Sequence, residues 1–313
     1  MNSNLLITGG LGYLGGRLAA YLSSKNTLVR LTNRPNGRTV PKWADAYEII
    51  PVDFGSDTLP RELCMGIDTV VHLAALNAQQ SAEDPFKAIQ TNIVGTLRLL
   101  NASIAAGVKR FIYLSTAHVY GSPLEGYIDE NTITRPKHPY AWSRRATEDV
   151  IGGITGIETV VLRMTNAVGA PEDPNVNCWM LIANGLCREA IAHGSITLRS
   201  SGEEFRDFIS INDFCRAIDH ILFLRISASE PQLFNLGGRC TMPVLALAKR
   251  ISDRVENCGR PRPELKIGSL QGRHRTFDYR VDHLLKTGFR LKGDLDNQID
   301  ETLAFCTTAF DSC

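Results

Sequence analysis

A tyrosine and an arginine stand four residues apart in the segment Tyr140-Ala141-Trp142-Ser143-Arg144. On a helix, residues with this spacing share one face, so the phenol and the guanidinium would lie close together. A phenol exchanges protons near neutral pH only if its pKa is drawn down, and a nearby positive charge has that effect. Arginine supplies a permanent charge, although it cannot release a proton at working pH. The pair is a candidate acid/base site.

A run of glycines follows the first apolar segment of the chain. Asn4-Leu5-Leu6-Ile7-Thr8 leads into Gly9-Gly10-Leu11-Gly12-Tyr13-Leu14-Gly15-Gly16, and a helical pattern follows. The order predicts a strand, a tight turn and a helix. Such glycines let the backbone approach a pyrophosphate, whose charge the helix N-terminus holds. We predict a dinucleotide site here, with a plain glycine-rich turn as the alternative.

The end of the second predicted strand bears on which dinucleotide binds. An NAD site normally carries an acid there for the adenosine ribose. No Asp or Glu occurs between Gly16 and Asp45, and the strand ends in Asn33 and Arg34, with Arg38 shortly after. A cation in this place suits a 2′-phosphate. The sequence favours NADP(H), with NAD(H) as the alternative.

Short apolar runs alternate with helical patterns through the first half of the chain. Strands are predicted over 28–31, 47–52, 68–73 and 110–114, helices over 86–106 and 139–151, and a closing strand over 158–164. This alternation predicts an α/β fold with a doubly wound parallel sheet. A helix over 177–191, a strand-to-helix unit over 205–224 and a helix over 244–255 predict a smaller lobe. We expect domains at 1–165 and 166–313, with later segments returning to the first.

Composition excludes several classes of protein. The chain has 313 residues, of which 43% are hydrophobic, enough for a substantial core. A net charge of +1 gives no reason to expect nucleic acid or an anionic membrane as partner. The sequence shows no signal-peptide pattern and no apolar run near the ~20 residues that span a bilayer, so we expect a cytoplasmic protein. Its eight cysteines include no CxxC pair, which predicts reduced thiols and no metal site.

An ordered series of motifs resembles the extended short-chain dehydrogenase/reductase superfamily, specifically its nucleotide-sugar epimerase/dehydratase branch, over nearly the whole chain. The matching motifs are Thr8-Gly9-x-x-Gly12-x-x-Gly15, His72-Leu73-Ala74-Ala75, Thr91-Asn92-Ile93-Val94-Gly95-Thr96, Leu114-Ser115-Thr116-Ala117-His118-Val119-Tyr120-Gly121, Tyr140, Leu162-Arg163-Met164-Thr165-Asn166, Arg206-Asp207-Phe208-Ile209, Asn235-Leu236-Gly237-Gly238 and Val281-Asp282. The resemblance implies a Rossmann-type domain followed by a smaller C-terminal substrate-binding lobe.

The resemblance also implies catalytic roles. Tyr140 takes the position of the family's acid/base, and Thr116 that of the hydroxyl that orients the substrate oxygen. In the family a lysine one helical turn after the tyrosine assists it and holds the nicotinamide ribose. Arg144 stands at that position, so the ribose contact must be rebuilt around a larger, planar group. An ordinary solvated arginine beside Arg145 is the alternative, and would leave cofactor binding with little turnover.

Cofactor-contacting positions carry over in the same way. Asp53 matches the family's adenine-contacting aspartate, with an N-cap for a following helix as the alternative. The predicted cofactor set comprises Gly9, Gly12, Tyr13, Leu14, Gly15, Asn33, Arg34, Asp53, Phe54, Leu73, Ala74, Ala75, Asn92, Tyr140 and Arg144.

Substrate-contacting positions lie mostly in the second half of the chain. Asn166 and Arg206 match positions that touch the diphosphate region of a nucleotide sugar, and Arg273 or Arg275 could add a second clamp. Salt bridges to neighbouring acids are the alternative for each arginine. His118 is also predicted at the substrate, with an ordinary hydrogen bond as the alternative. The predicted substrate set is Thr116, His118, Asn166, Arg206 and Arg273.

The loop after Thr116 narrows the implied reaction. Nucleotide-sugar 4,6-dehydratases place an Asp-Glu pair there, whereas this chain has Ala117-His118. Two readings remain, a C4 epimerase that reuses bound nicotinamide and a 4-ketoreductase that consumes NADPH. A cofactor-binding sensor or scaffold on the same fold is an alternative of another class. Family members often dimerise through helices that correspond to 86–106 and 139–151, so we expect a homodimer.

Overall fold

The computed structural model describes residues 4–25, 27–35, 37, 39–226, 232–270 and 275–311. The strands are β1 Leu5–Thr8, β2 Val29–Asn33, β3 Glu48–Pro51, β4 Thr69–His72, β5 Arg110–Thr116, β6 Gly126–Ile128, β7 Glu158–Met164, β8 Asn166–Val168, β9 Ser195–Ser200, β10 Phe205–Ser210, β11 Gln232–Leu236, β12 Thr241–Pro243, β13 Glu264–Leu270 and β14 Phe277–Tyr279. The helices are α1 Tyr13–Ser23, α2 Ala78–Glu83, α3 Pro85–Ala88, α4 Gly95–Ala105, α5 Pro139–Gly152, α6 Ile182–His193, α7 Ile211–Leu222, α8 Val244–Asn257, α9 Asp282–Lys286 and α10 Leu295–Phe310.

The largest sheet has seven strands in the order β11-β7-β5-β4-β1-β2-β3. The pairs from β7 to β3 all run parallel. β1 and β4 are buried at every position, as strands covered on both faces are. This sheet confirms the predicted α/β Rossmann-type fold. Its strand order reverses between β1 and β4, and ligands of open parallel sheets bind beside such a reversal at the carboxyl ends of the strands.

The sheet differs from the prediction at one edge. β7 was expected to close it, but β11 lies outside β7. The residues of β11 come almost seventy positions later in the chain than those of β7, and its five residues carry little apolar alternation. Pairing between segments so distant leaves no local sequence pattern, so the prediction was wrong here.

The predicted helix over 86–106 is interrupted. α3 passes into a π-helical segment, Ile89–Val94, before α4 begins at Gly95. A Cβ at Gly95 would lie 2.2 Å from the carbonyl oxygen of Phe54, so only glycine permits this close approach. Asn92 lies in this π-helical turn, and its side chain contacts Leu76 and Ser143.

The chain divides into two compact units. The first comprises residues 1–122, 132–164 and 219–235, and the second comprises 123–131, 165–218 and 236–313. The second unit has small sheets of order β12-β10-β8, β13-β9 and β14-β6. Its core forms where α6, α8 and α10 pack with β8 and β10 around residues such as Leu186, Leu247 and Ile299. α6 begins five residues later than predicted, because residues 177–181 form turns in which the Trp179 indole donates to the Pro174 carbonyl over 2.8 Å.

Within the residues that the structure describes, no helix is both long and apolar enough to cross a bilayer. No disulfide links any of the seven cysteines in the described ranges.

Candidate active site

The glycine loop sits between β1 and α1. Gly9 has a φ of +66°, and a Cβ at Gly15 would lie only 2.3 Å from the Gly9 carbonyl oxygen, so both positions require glycine. Gly12 is the N-cap of α1, and Tyr13 and Leu14 form its first turn. Among the described residues, no acidic side chain stands in that turn and no side chain caps it. The loop and the helix end could therefore hold a dinucleotide pyrophosphate, because the backbone can approach it closely and the helix end is positively polarised.

Other predicted cofactor residues lie along the same edge of the sheet. Leu73, Ala74 and Ala75 follow β4 directly, and a Cβ at Gly9 would lie 3.2 Å from the Ala74 backbone. Arg34 follows β2, is exposed, and has Nη2 3.5 Å from the carbonyl oxygen of Ala75. Arg38 lies outside the described residues. The fold thus brings the loops after β1, β2 and β4 together at the strand-order reversal.

A buried histidine connects the glycine strand to the helix that follows. Thr8 Oγ1 accepts from the backbone N–H groups of Leu73 and Ala74, both over 3.1 Å, and lies 2.7 Å from His72 Nδ1. His72 Nε2 lies 2.9 Å from Thr96 Oγ1, whose proton goes to the Asn92 carbonyl over 2.6 Å. His72 Nε2 must therefore donate to Thr96, and Nδ1 must accept from Thr8. This is the neutral imidazole, and burial lowers the pKa of His72 to about 3.

Asn92 joins the site from the π-helical turn. Its Oδ1 accepts from the Leu76 N–H over 2.9 Å, and its Nδ2 donates to Ser143 Oγ on α5 over 3.0 Å. Thr147, one turn further along α5, donates to the Asn92 carbonyl over 2.9 Å. Asn92 is 1% exposed. Asn92 therefore holds α5 against the loop after β4. This structural role is observed, and its contact with the cofactor stays a prediction.

Tyr140 stands in the first turn of α5. His138 is the N-cap of this helix, and its Nδ1 accepts from the Ala141 N–H over 3.2 Å. The His138 ring stacks on the Tyr140 ring, with centroids 6.1 Å apart and planes within 6°. The Arg144 guanidinium carbon lies 5.1 Å from the centroid of the Tyr140 ring. The predicted pair of phenol and cation is therefore in contact.

Arg144 is buried, and the interpretation of a solvated helix charge is wrong. Its side chain is 5% exposed, and Nη1 donates to Tyr113 Oη over 3.3 Å and to the Leu114 carbonyl over 3.1 Å. Burial disfavours the charge, but Tyr140 and Tyr113 more than offset that effect and raise the pKa of Arg144 above its ordinary value. The solvated role falls to Arg145, which pairs with Asp149 over 2.5 Å. The site has a permanent cation in its interior.

Thr116 ends β5 and is 6% exposed. Its Oγ1 accepts from the His118 N–H over 3.2 Å, which caps the 3₁₀ turn Ala117–Tyr120 and leaves the hydroxyl proton for another acceptor. The His118 ring meets the His138 ring edge-on at 5.6 Å. Both predicted residues therefore lie at the carboxyl end of β5, close to the N-terminus of α5.

Asp53 and Phe54 lie in the turn after β3. Asp53 Oδ1 accepts from the Gly55 N–H over 2.9 Å, and no helix follows within the described segment 54–66. The alternative of a helix N-cap is therefore wrong, because the carboxylate closes a local turn. Phe54 is 5% exposed and its ring meets the His72 ring edge-on at 5.3 Å. Asp53 is exposed, while Phe54 belongs to the core.

The second unit holds Asn166 and Arg206. Asn166 Nδ2 donates to the Asp207 carbonyl over 2.9 Å. The Asp207 carboxylate is 1% exposed, and accepts from Thr165 and from the backbone N–H groups of Gly238 and Cys240. Burial raises the pKa of Asp207. Arg206 is half-buried, and within the described ranges it forms no salt bridge with Asp207, which accepts from backbone N–H groups, or with Asp278, which pairs with Arg280. Arg275 pairs with Glu125, and Arg273 lies outside the described residues.

Sequence reasoning missed three residues that hold the site. Tyr113 supplies a hydroxyl to Arg144, His138 caps the helix of Tyr140, and Glu148 forms a buried pair with Arg163 over 2.6 Å. His138 had a signal, since it precedes a proline at the first helical position. Tyr113 and Glu148 had no such signal in the sequence, because their partners lie on other elements.

Comparisons with known proteins point to one family. A model of the NAD dependent epimerase/dehydratase family matches residues 5–237. A UDP-glucose 4-epimerase of Streptomyces lividans is 31% identical over 85% of this chain and 84% of its own length. A dTDP-glucose 4,6-dehydratase of Streptomyces niveus is 27% identical over 82% of this chain and 77% of its own length. A Thermus thermophilus UDP-glucose 4-epimerase structure, a complex with NAD, superposes with a TM-score of 0.78 at 25% identity, covering 98% of this chain and 99% of its own.

Proposed function

Since the chain belongs to the NAD dependent epimerase/dehydratase family, we propose that it is an enzyme that oxidises or reduces carbon 4 of a nucleotide-linked sugar. The observation that carries this proposal is the contact between Tyr140 and the buried Arg144, with 5.1 Å from guanidinium carbon to ring centroid. A bound nicotinamide supplies or accepts the hydride. The protein must supply the proton and the alignment.

Tyr140 is proposed as the acid/base. When a sugar hydroxyl is oxidised, the phenolate of Tyr140 takes its proton, and when a ketone is reduced, the phenol returns it. Arg144 stabilises the phenolate by its charge and exchanges no proton itself. Thr116 would donate its hydroxyl proton to the same substrate oxygen. Tyr140 and Thr116 keep the family's tyrosine and hydroxyl, and only Arg144 departs from the pattern, where the family has lysine.

For the cofactor, we propose that the site prefers NADP(H) to NAD(H). Arg34 is exposed beyond the end of β2, where an adenosine 2′-phosphate would lie, and no acid stands between Gly16 and Asp45 to repel that phosphate. The Thermus thermophilus relative was solved with NAD, which makes NAD(H) the alternative. The glycine loop serves either dinucleotide, so the choice depends on the adenosine end.

Replacing Arg34 with alanine is expected to weaken NADP(H) binding about tenfold or more and to leave NAD(H) binding within about twofold. The reason is that, of the groups on the dinucleotide, the guanidinium would contact only the 2′-phosphate that NAD(H) lacks. The measurement is the dissociation constant of each dinucleotide by calorimetry. Arg61→Ala is a matched control, because Arg61 is also exposed and lies close to the end of β2 that carries Arg30. The Arg30 guanidinium donates to the carbonyls of Glu62, Leu63 and Met65. Equal losses for both dinucleotides would contradict the preference.

We propose a nucleoside diphosphate sugar as substrate. Arg206 is half-buried and has no acidic partner among the described residues, which suits an anionic ligand better than a structural role. Asn166 is proposed to bind the same diphosphate region through its remaining hydrogen-bonding capacity, since its Nδ2 already donates to the Asp207 carbonyl. His118 is proposed to lie near the sugar. Arg273 is proposed from the sequence as a second clamp on the diphosphate.

A C4 epimerase and a 4-ketoreductase differ in how they hold the dinucleotide. We expect the protein to convert a nucleotide sugar at carbon 4, and mass spectrometry of the denatured protein to identify any nucleotide that it retains. Retained NAD with sugar interconversion would indicate an epimerase. NADPH consumption by a 4-keto sugar nucleotide would indicate a ketoreductase. Dinucleotide binding without turnover of either kind would contradict the enzyme and favour the sensor or scaffold.

We also propose a homodimer. Phe86 in α3 is 69% exposed and Ile89 in the π-helical turn is 39% exposed, on the segment that the resemblance assigns to the dimer interface. Large apolar side chains exposed together favour burial against another surface. Two copies of this chain would supply such a surface.

A further inference from the structure

The N-cap of α5 is a histidine whose protonation state is set by its geometry. His138 Nδ1 accepts from the Ala141 N–H over 3.2 Å, so this nitrogen carries no proton. Asparagine, aspartate and serine are the common residues in this role, and asparagine or serine would cap the helix at any pH near neutrality. An imidazole caps only while Nδ1 is unprotonated. The start of α5 is therefore sensitive to pH.

The same imidazole contacts the proposed acid/base. Tyr140 is the second residue of α5, so the first turn that His138 caps is also the turn that carries the phenol. The two rings stack with centroids 6.1 Å apart. The capped N–H belongs to Ala141, the residue next to Tyr140. If the cap were lost and the first turn frayed, the phenol would therefore move. Cap and stack together fix where the Tyr140 ring lies.

We propose that His138 is a positioning residue for Tyr140, whose neutral imidazole caps and stacks so that turnover requires His138 to be unprotonated. This inference rests on the proposed function, because it assigns Tyr140 the acid/base role. His138 acts through Tyr140 and does not itself touch the reacting atoms.

The groups around His138 also disfavour its protonation. The groups that face it are the His118 ring at 5.6 Å, the Tyr140 phenol, and Arg144, which contacts the same phenol ring. Protonation would place a second cation beside Tyr140 and a positive charge at the N-terminus of a helix, where it is unfavourable. Burial lowers the pKa of His138 below its ordinary value. The cap is therefore complete above the ordinary histidine pKa of about 6.5 and is lost as pH falls through the lower pKa of the folded state.

Two substitutions separate the cap from the ring. His138→Asn keeps a capping oxygen at every pH but removes the titrating ring, whereas His138→Phe keeps an aromatic face and removes the cap. Wild-type kcat should fall on the acid side as pH drops below about 6.5, with the apparent pKa of His138. His138→Asn should lose this acid limb. His138→Phe should turn over about fivefold more slowly at every pH, again without the limb.

A measurement without turnover keeps the test independent of the proposed function. In an NMR titration, the His138 signals are identified by their loss in His138→Asn, and the Tyr140 ring signals by their loss in Tyr140→Phe. We expect His138 to be the tautomer protonated at Nε2. We also expect the Tyr140 ring signals to shift as His138 becomes protonated. An acid limb retained in His138→Asn, or Tyr140 signals that ignore the titration, would overturn the proposal. A wild-type protein without turnover would refute the proposed function, and the NMR result would still decide on His138.

Discussion

Replacing Tyr140 with phenylalanine should lower kcat by about a hundredfold to ten-thousandfold. Only the hydroxyl is removed, and that hydroxyl is the group proposed to exchange a proton with the sugar oxygen. The ring remains, so its stacking with His138 and its contact with Arg144 are kept. Steady-state turnover and dinucleotide affinity are measured on the same preparation. The expected result is lost turnover with dinucleotide binding nearly unchanged.

Tyr127→Phe is the matched control for this experiment. Tyr127 is 61% exposed, and loss of its hydroxyl should leave turnover unchanged. If Tyr140→Phe retained wild-type kcat, the acid/base would have to be another residue. If it lost dinucleotide binding as well, the effect would be structural and the assignment would lack support.

Arg144 yields the second large effect. Arg144→Met should lower kcat about a hundredfold, because the cation that favours the phenolate disappears from a buried site. Arg144→Lys should keep the charge but lose about tenfold in kcat, since a single ammonium cannot reproduce the planar group that meets Tyr113 Oη, the Leu114 carbonyl and the Tyr140 ring. The measurement is steady-state kcat of both variants and of the wild type at the same pH.

The neighbouring Arg145 provides a control, because the same change from arginine to lysine can be made there at the helix surface. Its guanidinium pairs with Asp149 at the helix surface, so Arg145→Lys should leave kcat unchanged. A clear gain in kcat for Arg144→Lys would mean that arginine is a weakened form of the family's lysine. A loss means that Tyr113 and the surrounding strand have adapted to the larger cation.

Glu148 and Arg163 form a buried ion pair near Arg144, so substitutions in α5 can also change the stability of the protein. Both side chains are under 10% exposed, and Ser115 also donates to Glu148. Removing one partner of a buried pair leaves the other charge without compensation, which costs about 3–5 kcal/mol. Arg144 and Arg145 lie within about one turn of Glu148, so the unfolding temperature of each variant should be measured beside its kcat.

The sequence by itself determined the features that depend on near neighbours. The glycine loop, the alternation of strands and helices, and the placing of Tyr140 with residue 144 on one helix face follow from spacings of a few residues. The missing acid after β2 was likewise readable, because position in a motif is a local property. These signals were enough for the fold class and for the main candidate residues.

Only the tertiary structure decided what each of these residues contacts. Whether Arg144 faces water or the interior depended on β5, which presents the Tyr113 hydroxyl and the Leu114 carbonyl to it. Asp53 closes a turn because no helix follows it, and β11 joins the sheet edge by pairing across a long stretch of chain. The physical reason is common to all three. Burial and hydrogen-bond partners are set by elements far apart in sequence, whose mutual register leaves no periodic trace in either one.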